Sequence, residues 1–303
     1  MHDVYAFGVV APSTLYELTG DFPAAAGYGE ISGVHPSIGG EAAGSAYVLA
    51  RLGVAAKLAG NRLHDDGESQ RTLELLAAAG VDCSDITVDQ QTPPLTEVVI
   101  ASGRERTIFG TYGRLLADQS WNEPVKADVL ASRIVCLDPF FGDASRQVAR
   151  WCREAGVPYV TVDAAPGTDI AGGAEVLIIA EEFASRTFAS SASPEEIVAE
   201  YKAQCAGLVM LTRGSKPLLY QRDAPTPRES APFLVDARDT AGAGDSFRAG
   251  IIYGMLHGYD DPALITTASA VAALVCRRVP GVVNSPTEAE LHEFLHQTER
   301  TAT

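Results

Sequence analysis

Four stretches of the chain share one alternation of apolar and polar positions. "LARLGVAAKLAG", "LELLAAAGVD", "ARWCREAGVPYVTVD" and "AEYKAQCAGLVMLT" each carry a helical period that stops at a glycine (Gly53, Gly80, Gly156 and Gly207). Three of them run directly on into an apolar, strand-like segment. Glycine is the usual residue just past a helix C-terminus, and helix, glycine, strand in repetition is how βαβ units read. The pattern predicts a mostly parallel sheet with helices on both faces.

Two regions break the rhythm. Residues 12–38, "PSTLYELTGDFPAAAGYGEISGVHPSI", hold Gly, Pro and short alternating pieces, and residues 92–114 read as a hairpin, "LTEVVIAS", a polar "GRER", then "TIFGTYG". Alternating strands fit poorly into a parallel sheet buried on both faces. They predict a small excursion sheet over one edge, placed to act as a lid within a single domain spanning 1–303.

A third irregularity is "DTAGAGDSF", residues 239–247, small residues followed by a carboxylate. Downstream, Phe247, Ile251, Ile252, Met255 and Leu256 keep a helical period, so a helix is expected to start near Asp245. Upstream, "APFLVDARD" reads as a strand. Strand, Gly-rich turn and helix start together make an anion site, because the first amides of a helix lack partners and the macrodipole is positive there. Side-chain-free Gly242 and Gly244 would let phosphate oxygens reach those amides. Asp245 beside them would be placed to take a proton from an attacking hydroxyl; the plainer alternative is an Asp that only caps its helix.

Composition narrows the classes. The net charge of −16 (23 Lys and Arg against 39 Asp and Glu) and the absence of a basic block argue against nucleic acid as partner. Five scattered cysteines with no C-x-x-C pair argue against a disulfide framework or zinc site. No apolar stretch is long enough to span a bilayer, and the N-terminal "MHDVYAFGVV" has no basic segment before its apolar run. A cytoplasmic enzyme without a membrane partner is the expectation.

Several pieces together resemble the ribokinase-like (PfkB) carbohydrate kinases. "DTAGAGDSFRAG" resembles that family's C-terminal motif and "GGEAAGSAYVLARLG" its N-terminal motif. "HDDGESQRTLELLAAAGVD" is similar to the segment that comes next, "SGRERTIF" to the lid hairpin and "NSPTEAELHEFL" to the closing helix, all in family order. The resemblance implies a three-layer αβα sandwich with a β lid, and transfer of the ATP γ-phosphoryl group to a hydroxyl with magnesium. It implies Asp245 as catalytic base, already ionised at neutral pH as an ordinary Asp is, and Gly242, Ala243 and Gly244 as anion hole. It places the acceptor, a small sugar-like molecule, near Ser13, Gly39, Gly40 and Gly44, and the nucleotide near Thr212, Arg213, Gly214, Ser269 and Asn284, the last in the loop from Gly281 to Ser285. Arg213 would then be one of few cations near the phosphates. Asp239 matches a residue that helps hold a monovalent cation in many members, with an Asp that merely turns the chain as the alternative; whether potassium is used stays open. A homodimer through the lid, with Phe109 and Tyr112 facing a partner, follows by the same analogy.

The chain departs from the family at the acceptor end. Ser13 stands where sugar kinases carry an Asp for sugar hydroxyls, and Gly44 where an Asn is usual. Either the acceptor is not a plain pentose or hexose, with extra room at Gly44, or residues such as Asp21, Glu30 or Arg106 supply the contacts. In "LIIAEEFASRTF" the usual Asn-x-x-Glu is missing; Glu182 or Glu181 would have to meet magnesium through water, or the ion rides mainly on ATP. Two alternatives remain: a nucleoside kinase of the same fold, with Trp121, Phe109, Tyr112 and Tyr28 available to stack on a base, and a non-catalytic nucleotide or sugar sensor.

Overall fold

Strands and helices alternate from the first residues of the computed structural model, which describes residues 2–102 and 105–301. Strand β1 (Val4–Gly8) leads into β2 (Ala11–Leu18) and β3 (Ile31–Gly39), then α1 (Glu41–Arg51) and β4 (Ala56–Gly60). After β5 (Leu63–His64), α2 (Gly67–Ala79) and β6 (Val88–Asp89) comes a hairpin, β7 (Glu97–Ser102) and β8 (Glu105–Gly110). The middle of the chain holds α3 (Tyr112–Asp118), α4 (Lys126–Ala131), β9 (Ile134–Leu137), α5 (Gly142–Ala155), β10 (Tyr159–Val162), α6 (Asp169–Gly172) and β11 (Val176–Ala180). It continues with α7 (Glu181–Thr187), α8 (Pro194–Lys202), β12 (Leu208–Thr212), β13 (Leu218–Gln221) and β14 (Arg228–Ser230). Helices α9 (Ala243–Leu256), α10 (Asp261–Cys276) and α11 (Glu288–Thr301) close it.

The central sheet has the order β14-β13-β12-β11-β10-β9-β1-β4. From β12 to β4 every pair is parallel, and β13 and β14 add an antiparallel edge. The parallel strands are short and buried along their length, which is why "VYAFG", "IVCL" and "LVMLT" read as runs without alternation. Helices cover both faces. One core joins Val4, Cys136 and Val160 of the sheet to Ala46 of α1, Leu76 of α2, Ile251 of α9 and Val271 of α10. The other joins Tyr5, Val135 and Leu177 to Val148 of α5 and Val198 of α8. Helix α5 shows the reason: Ala144, Val148 and Cys152 lie on its buried face and Asp143, Arg146 and Arg150 on the wet one. The result is the expected αβα sandwich. No helix among the described residues is long and apolar enough to cross a membrane, and all five cysteines are free thiols.

A second sheet, order β3-β2-β7-β8, is built from the two stretches that broke the rhythm. Alternation decides its faces. Leu15, Val99 and Ala101 point inward and form a small core with Ala241, directly before the glycine-rich turn, while Val34 and Phe109 are exposed.

Four local expectations are corrected. Residues 231–238 form no strand; the segment runs irregularly and leaves Leu234 exposed, so its apolar residues do not mark a ladder position. Gly207 is not a helix terminator: α8 stops at Lys202, and Gly207 sits directly before β12, where a Cβ would lie 2.2 Å from the Ala174 carbonyl oxygen. The second hairpin strand ends at Gly110, and Tyr112 begins α3. Gly103 and Arg104, in the expected "GRER" tip, lie outside the described residues.

Candidate active site

The strand order reverses at β1, which has β4 on one side and β9 on the other. Ligand crevices in open α/β sheets form outside the carboxyl ends of strands at such a point. Here Asp138, immediately after β9, closes the end of the sheet. Its Oδ2 accepts the amides of Val9 (2.8 Å) and Ala42 (3.0 Å), and its Oδ1 accepts Arg248 Nη1 at 2.7 Å. Both side chains of this ion pair are fully buried. Arg248 Nε donates to Ser45 Oγ (2.9 Å), and Ser45 Oγ donates to the backbone carbonyl of Asp245 (3.1 Å). Strand β9, α1 and α9 are thus tied together beneath Asp245.

Above that network lies a cavity of about 420 Å³. Its floor is the turn at the start of α9. Gly242 is the N-cap, left-handed at φ 70°, and a Cβ there would lie 2.1 Å from Val282 Cγ2, so no other residue fits without displacing that loop. The Gly242 carbonyl accepts the Ser246 amide (2.9 Å) and hydroxyl (2.7 Å). The amides before Ser246 have no acceptor within their own helix, as at any helix start; that of Ala243 reaches back to Thr240 at 3.4 Å. Gly242, Gly244 and half-buried Asp245 all line the cavity, and Ala243 lies between them.

Asp239 anchors this turn. It is buried, accepts the Ala241 amide (2.9 Å) on one oxygen and the Gly281 amide (2.8 Å) on the other, and so joins the turn to the loop that carries Val282. Burial raises its pKa, against those two bonds and Arg106. This geometry fits the turn-making alternative directly; nothing in it reports a bound cation.

The other walls come from α1 and the lid. Gly39, Gly40 and Glu41 stand at the start of α1, Ser13, Ser37, Glu97, Ile108 and Arg106 on the lid sheet, Tyr112 and Leu116 on α3, and Asp163 after β10. Asp163 holds a left-handed backbone (φ 46°), uncommon outside glycine, and accepts the Ala180 amide at 2.8 Å. Burial pushes its pKa up to about 6. Glu41 and Asp245 are both raised from the carboxylate range: Glu41 by burial and then by Asp138 and Asp245, and Asp245 by burial and the charges of Asp138 and Glu97, opposed by Arg248 and Arg106. Asp245 is therefore not the ordinary, fully ionised aspartate expected from its residue type.

Several expected residues stand elsewhere. Gly44 opens no extra room, because a Cβ there would come 3.1 Å from Asp245 Cβ; the space is taken by the acid itself. Thr212, Arg213, Gly214, Ser269 and Asn284 do not line the cavity. Thr212 is the register partner of Ala180, which does, and so stands one strand beyond its rim. Arg213 is not a free cation: its Nε lies 3.6 Å from Glu181 Oε1 and its Nη1 donates to the Pro217 carbonyl. Glu181 also pairs with Lys216 at the surface, and Glu182 is exposed. Ser269 is buried in α10, and the Asn284 amide donates to the carbonyls of Val279 and Pro280. Asp21 and Glu30 are exposed and away from the cavity, whereas Arg106 reaches it. Trp121 stacks one face on Phe141 with ring centroids 4.6 Å apart, packs on the core and does not line the cavity. Among the described residues no three His, Cys, Asp or Glu side chains gather as a metal-binding cluster. The acids that line the cavity, Glu41, Glu97, Asp163 and Asp245, are oxygen donors of the kind that magnesium meets directly or through its waters.

Sequence reasoning missed Glu41, Glu97, Asp138, Asp163 and Arg248. The signal for Arg248 was present, a charged residue within the small and apolar run "SFRAGII". Glu97 was marked by alternation, since it shares the inward face with Val99 and Ala101.

Comparisons with known proteins bear on the family and the fold. A family model described as "pfkB family carbohydrate kinase" matches residues 1–288. A 5-dehydro-2-deoxygluconokinase from Shouchella clausii is 26% identical over 289 residues, covering 86% of this chain and 86% of that protein. A crystal structure assigned as a ribokinase from Agrobacterium tumefaciens superposes with TM-score 0.87 at 24% identity, over 99% of each chain. Arabidopsis thaliana ribokinase, complexed with ribose and ATP, gives 0.79 at 20% identity, covering 97% of this chain and 98% of that one.

Proposed function

This chain belongs to the pfkB family of carbohydrate kinases, and from that membership we propose that it moves the γ-phosphoryl group of ATP to an alcohol hydroxyl of a small sugar or polyol-like acceptor. The observation that carries the reading is the shared cavity floor, where the helix-start backbone of Gly242 to Gly244 stands beside the Asp245 carboxylate. The backbone amides neutralise charge on the transferred oxygens without adding side-chain bulk, which is the main task in phosphoryl transfer. Asp245 accepts the proton of the attacking hydroxyl as its oxygen bonds to phosphorus. The bond to the β-phosphate oxygen breaks, and ADP leaves with that electron pair. Magnesium bound to the phosphates would supply further charge neutralisation, with Asp163 and its neighbour Glu182 as candidate acids for its waters. Potassium stays open: Asp239 accepts one backbone amide on each oxygen, and a carboxylate keeps further acceptor positions.

A nucleoside kinase is the second reading: of the four aromatics that could stack on a base, Tyr112 alone lines the cavity, and Trp121 is stacked on Phe141. A sensor is weaker still, because a carboxylate beside a phosphate cradle serves no binding purpose. ADP release measured over sugars, polyols, sugar acids and nucleosides tests these together. Acceptor-dependent turnover is expected, and Asp245→Asn is expected to lower kcat by roughly 10²- to 10⁴-fold. Turnover unchanged in Asp245→Asn would remove Asp245 from the mechanism. A lid-mediated homodimer is proposed on the exposed outer face that carries Val34 and Phe109; a monomeric mass by light scattering at working concentration counts against it.

A further inference from the structure

One row of residues crosses the whole lid sheet on the side facing the cavity. Ser37 of β3, Ser13 of β2, Glu97 of β7 and Gly110 of β8 are successive register partners. Glu97 is the centre of that row. Its Oε1 accepts Ser13 Oγ at 2.8 Å, and its Oε2 accepts the Tyr112 hydroxyl. Two glycines make the space: a Cβ at Gly110 would lie 2.3 Å from the Tyr112 ring, and one at Gly39 would lie 2.6 Å from Glu97 Oε1. The carboxylate is therefore clamped from two sides at the cavity wall. A carboxylate offers about four acceptor positions; two are used by protein hydroxyls, which leaves acceptor capacity directed at whatever enters.

The charge around it limits what can enter. Glu41, Glu97, Asp163 and Asp245 line the same cavity, and among the described residues lining it Arg106 is the single cation. Arg106 is exposed, and its positive charge works against the burial that raises the pKa values of Asp239 and Asp245. A carboxylate or a phosphate on the acceptor would meet four acidic side chains against this one cation.

We propose that Glu97, held by Ser13 and Tyr112, binds hydrogen-bond donors of the acceptor, and that the acceptor is a non-anionic, donor-rich sugar or polyol, neutral or amino-bearing, rather than a sugar acid or sugar phosphate. This deepens the kinase reading and rests on it for where the acceptor lies. The Ser13 position then acts through Glu97: Ser13 orients the acid that touches the acceptor.

The test compares matched acceptors (an aldose, its 2-amino sugar and its aldonic acid) in wild type and in Glu97→Ala and Glu97→Gln. The non-anionic members are expected to exceed the aldonic acid in kcat/KM by about tenfold or more. Loss of a hydrogen bond to a charged group predicts a rise in acceptor KM of roughly ten- to a hundredfold in Glu97→Ala, smaller in Glu97→Gln, with the KM for ATP unchanged. Tyr112→Phe, which frees one side of the carboxylate, serves where Glu97→Ala does not fold, with a smaller KM rise expected. Acceptor-induced thermal shifts in an Asp245→Asn background read binding without turnover, and they are expected to shrink when Glu97→Ala is added. Preference for the aldonic acid, or an acceptor KM and thermal shift indifferent to Glu97, would overturn the proposal. Turnover that persists in Asp245→Asn while acceptor binding still depends on Glu97 would instead strike the catalytic reading alone.

Discussion

Asp245 sits among charges that pull in opposite directions. Burial, Asp138 and Glu97 favour its neutral form, and Arg248 and Arg106 favour its charged form, with burial the largest influence and the net direction upward. A base must be ionised to accept a proton, so the acid limb of kcat/KM should lie well above the ordinary aspartate range, with activity lost as pH falls through the raised pKa. A pH–rate profile flat down to pH 5 would show that the shift is absent in the working enzyme. Stability moves the other way. With the folded pKa raised above the unfolded value of 3.8, the folded state holds a proton that the unfolded chain has released, so stability falls as pH rises across that window. Glu41 adds in the same sense. Asp245→Asn removes this loss, and its Tm is expected to exceed that of wild type at pH 8, by a margin that narrows toward pH 5. Equal melting temperatures at both pH values would contradict the assignment.

Helix α9 serves two purposes along its length. Its first turn presents amides and a carboxylate to the cavity, and the next turn inserts Arg248 into the space between α1 and β9, with no exposed surface. A guanidinium there is tolerated because Asp138 and Ser45 meet it, although its Nη2 has no partner among the described residues. Breaking such a pair leaves a buried charge uncompensated, so Arg248→Met is expected to cost about 3–5 kcal/mol in urea unfolding. Adding Asp138→Asn should recover a large part of it. A cost below about 1 kcal/mol for the single variant would mean that Asp138 finds other compensation. Helix existence and period were legible in "SFRAGIIYGML"; the burial of Arg248 was not, because its partner lies 110 residues away.

At the scale of the whole molecule, the second sheet rests on the glycine-rich turn. Leu15, Val99 and Ala101 pack on Ala241, three residues before Gly244, the proposed anion hole, so the positions of sheet and turn are mechanically linked. Leu15 is fully buried. Leu15→Ala is expected to loosen that seat, raising acceptor KM several-fold and raising acceptor-independent ATP hydrolysis as water gains access. If hydrolysis without acceptor stays at the wild-type level, the contact does not govern closure. The lid was readable in sequence as alternating strands; its seat on Ala241 was not, since alternation gives a face and never names what the face touches.

Local period, glycine punctuation and one small-residue turn were enough to determine the βαβ rhythm, a separate sheet of alternating strands and a helix start at the glycine-rich turn before Asp245. All of these depend on residues within a turn or two of each other, where backbone sterics and hydrophobic spacing act directly. Tertiary structure alone decided which acids surround that turn. Glu41, Glu97 and Asp163 come from three separate parts of the chain, and only closure of the sheet, α1 and the second sheet brings them to one cavity, with Asp138 buried beneath it. The same closure filled the space beside Gly44 with Asp245, tied Arg213 to Glu181 and set the carboxylate pKa values, because burial and charge proximity are properties of the folded neighbourhood rather than of residue type.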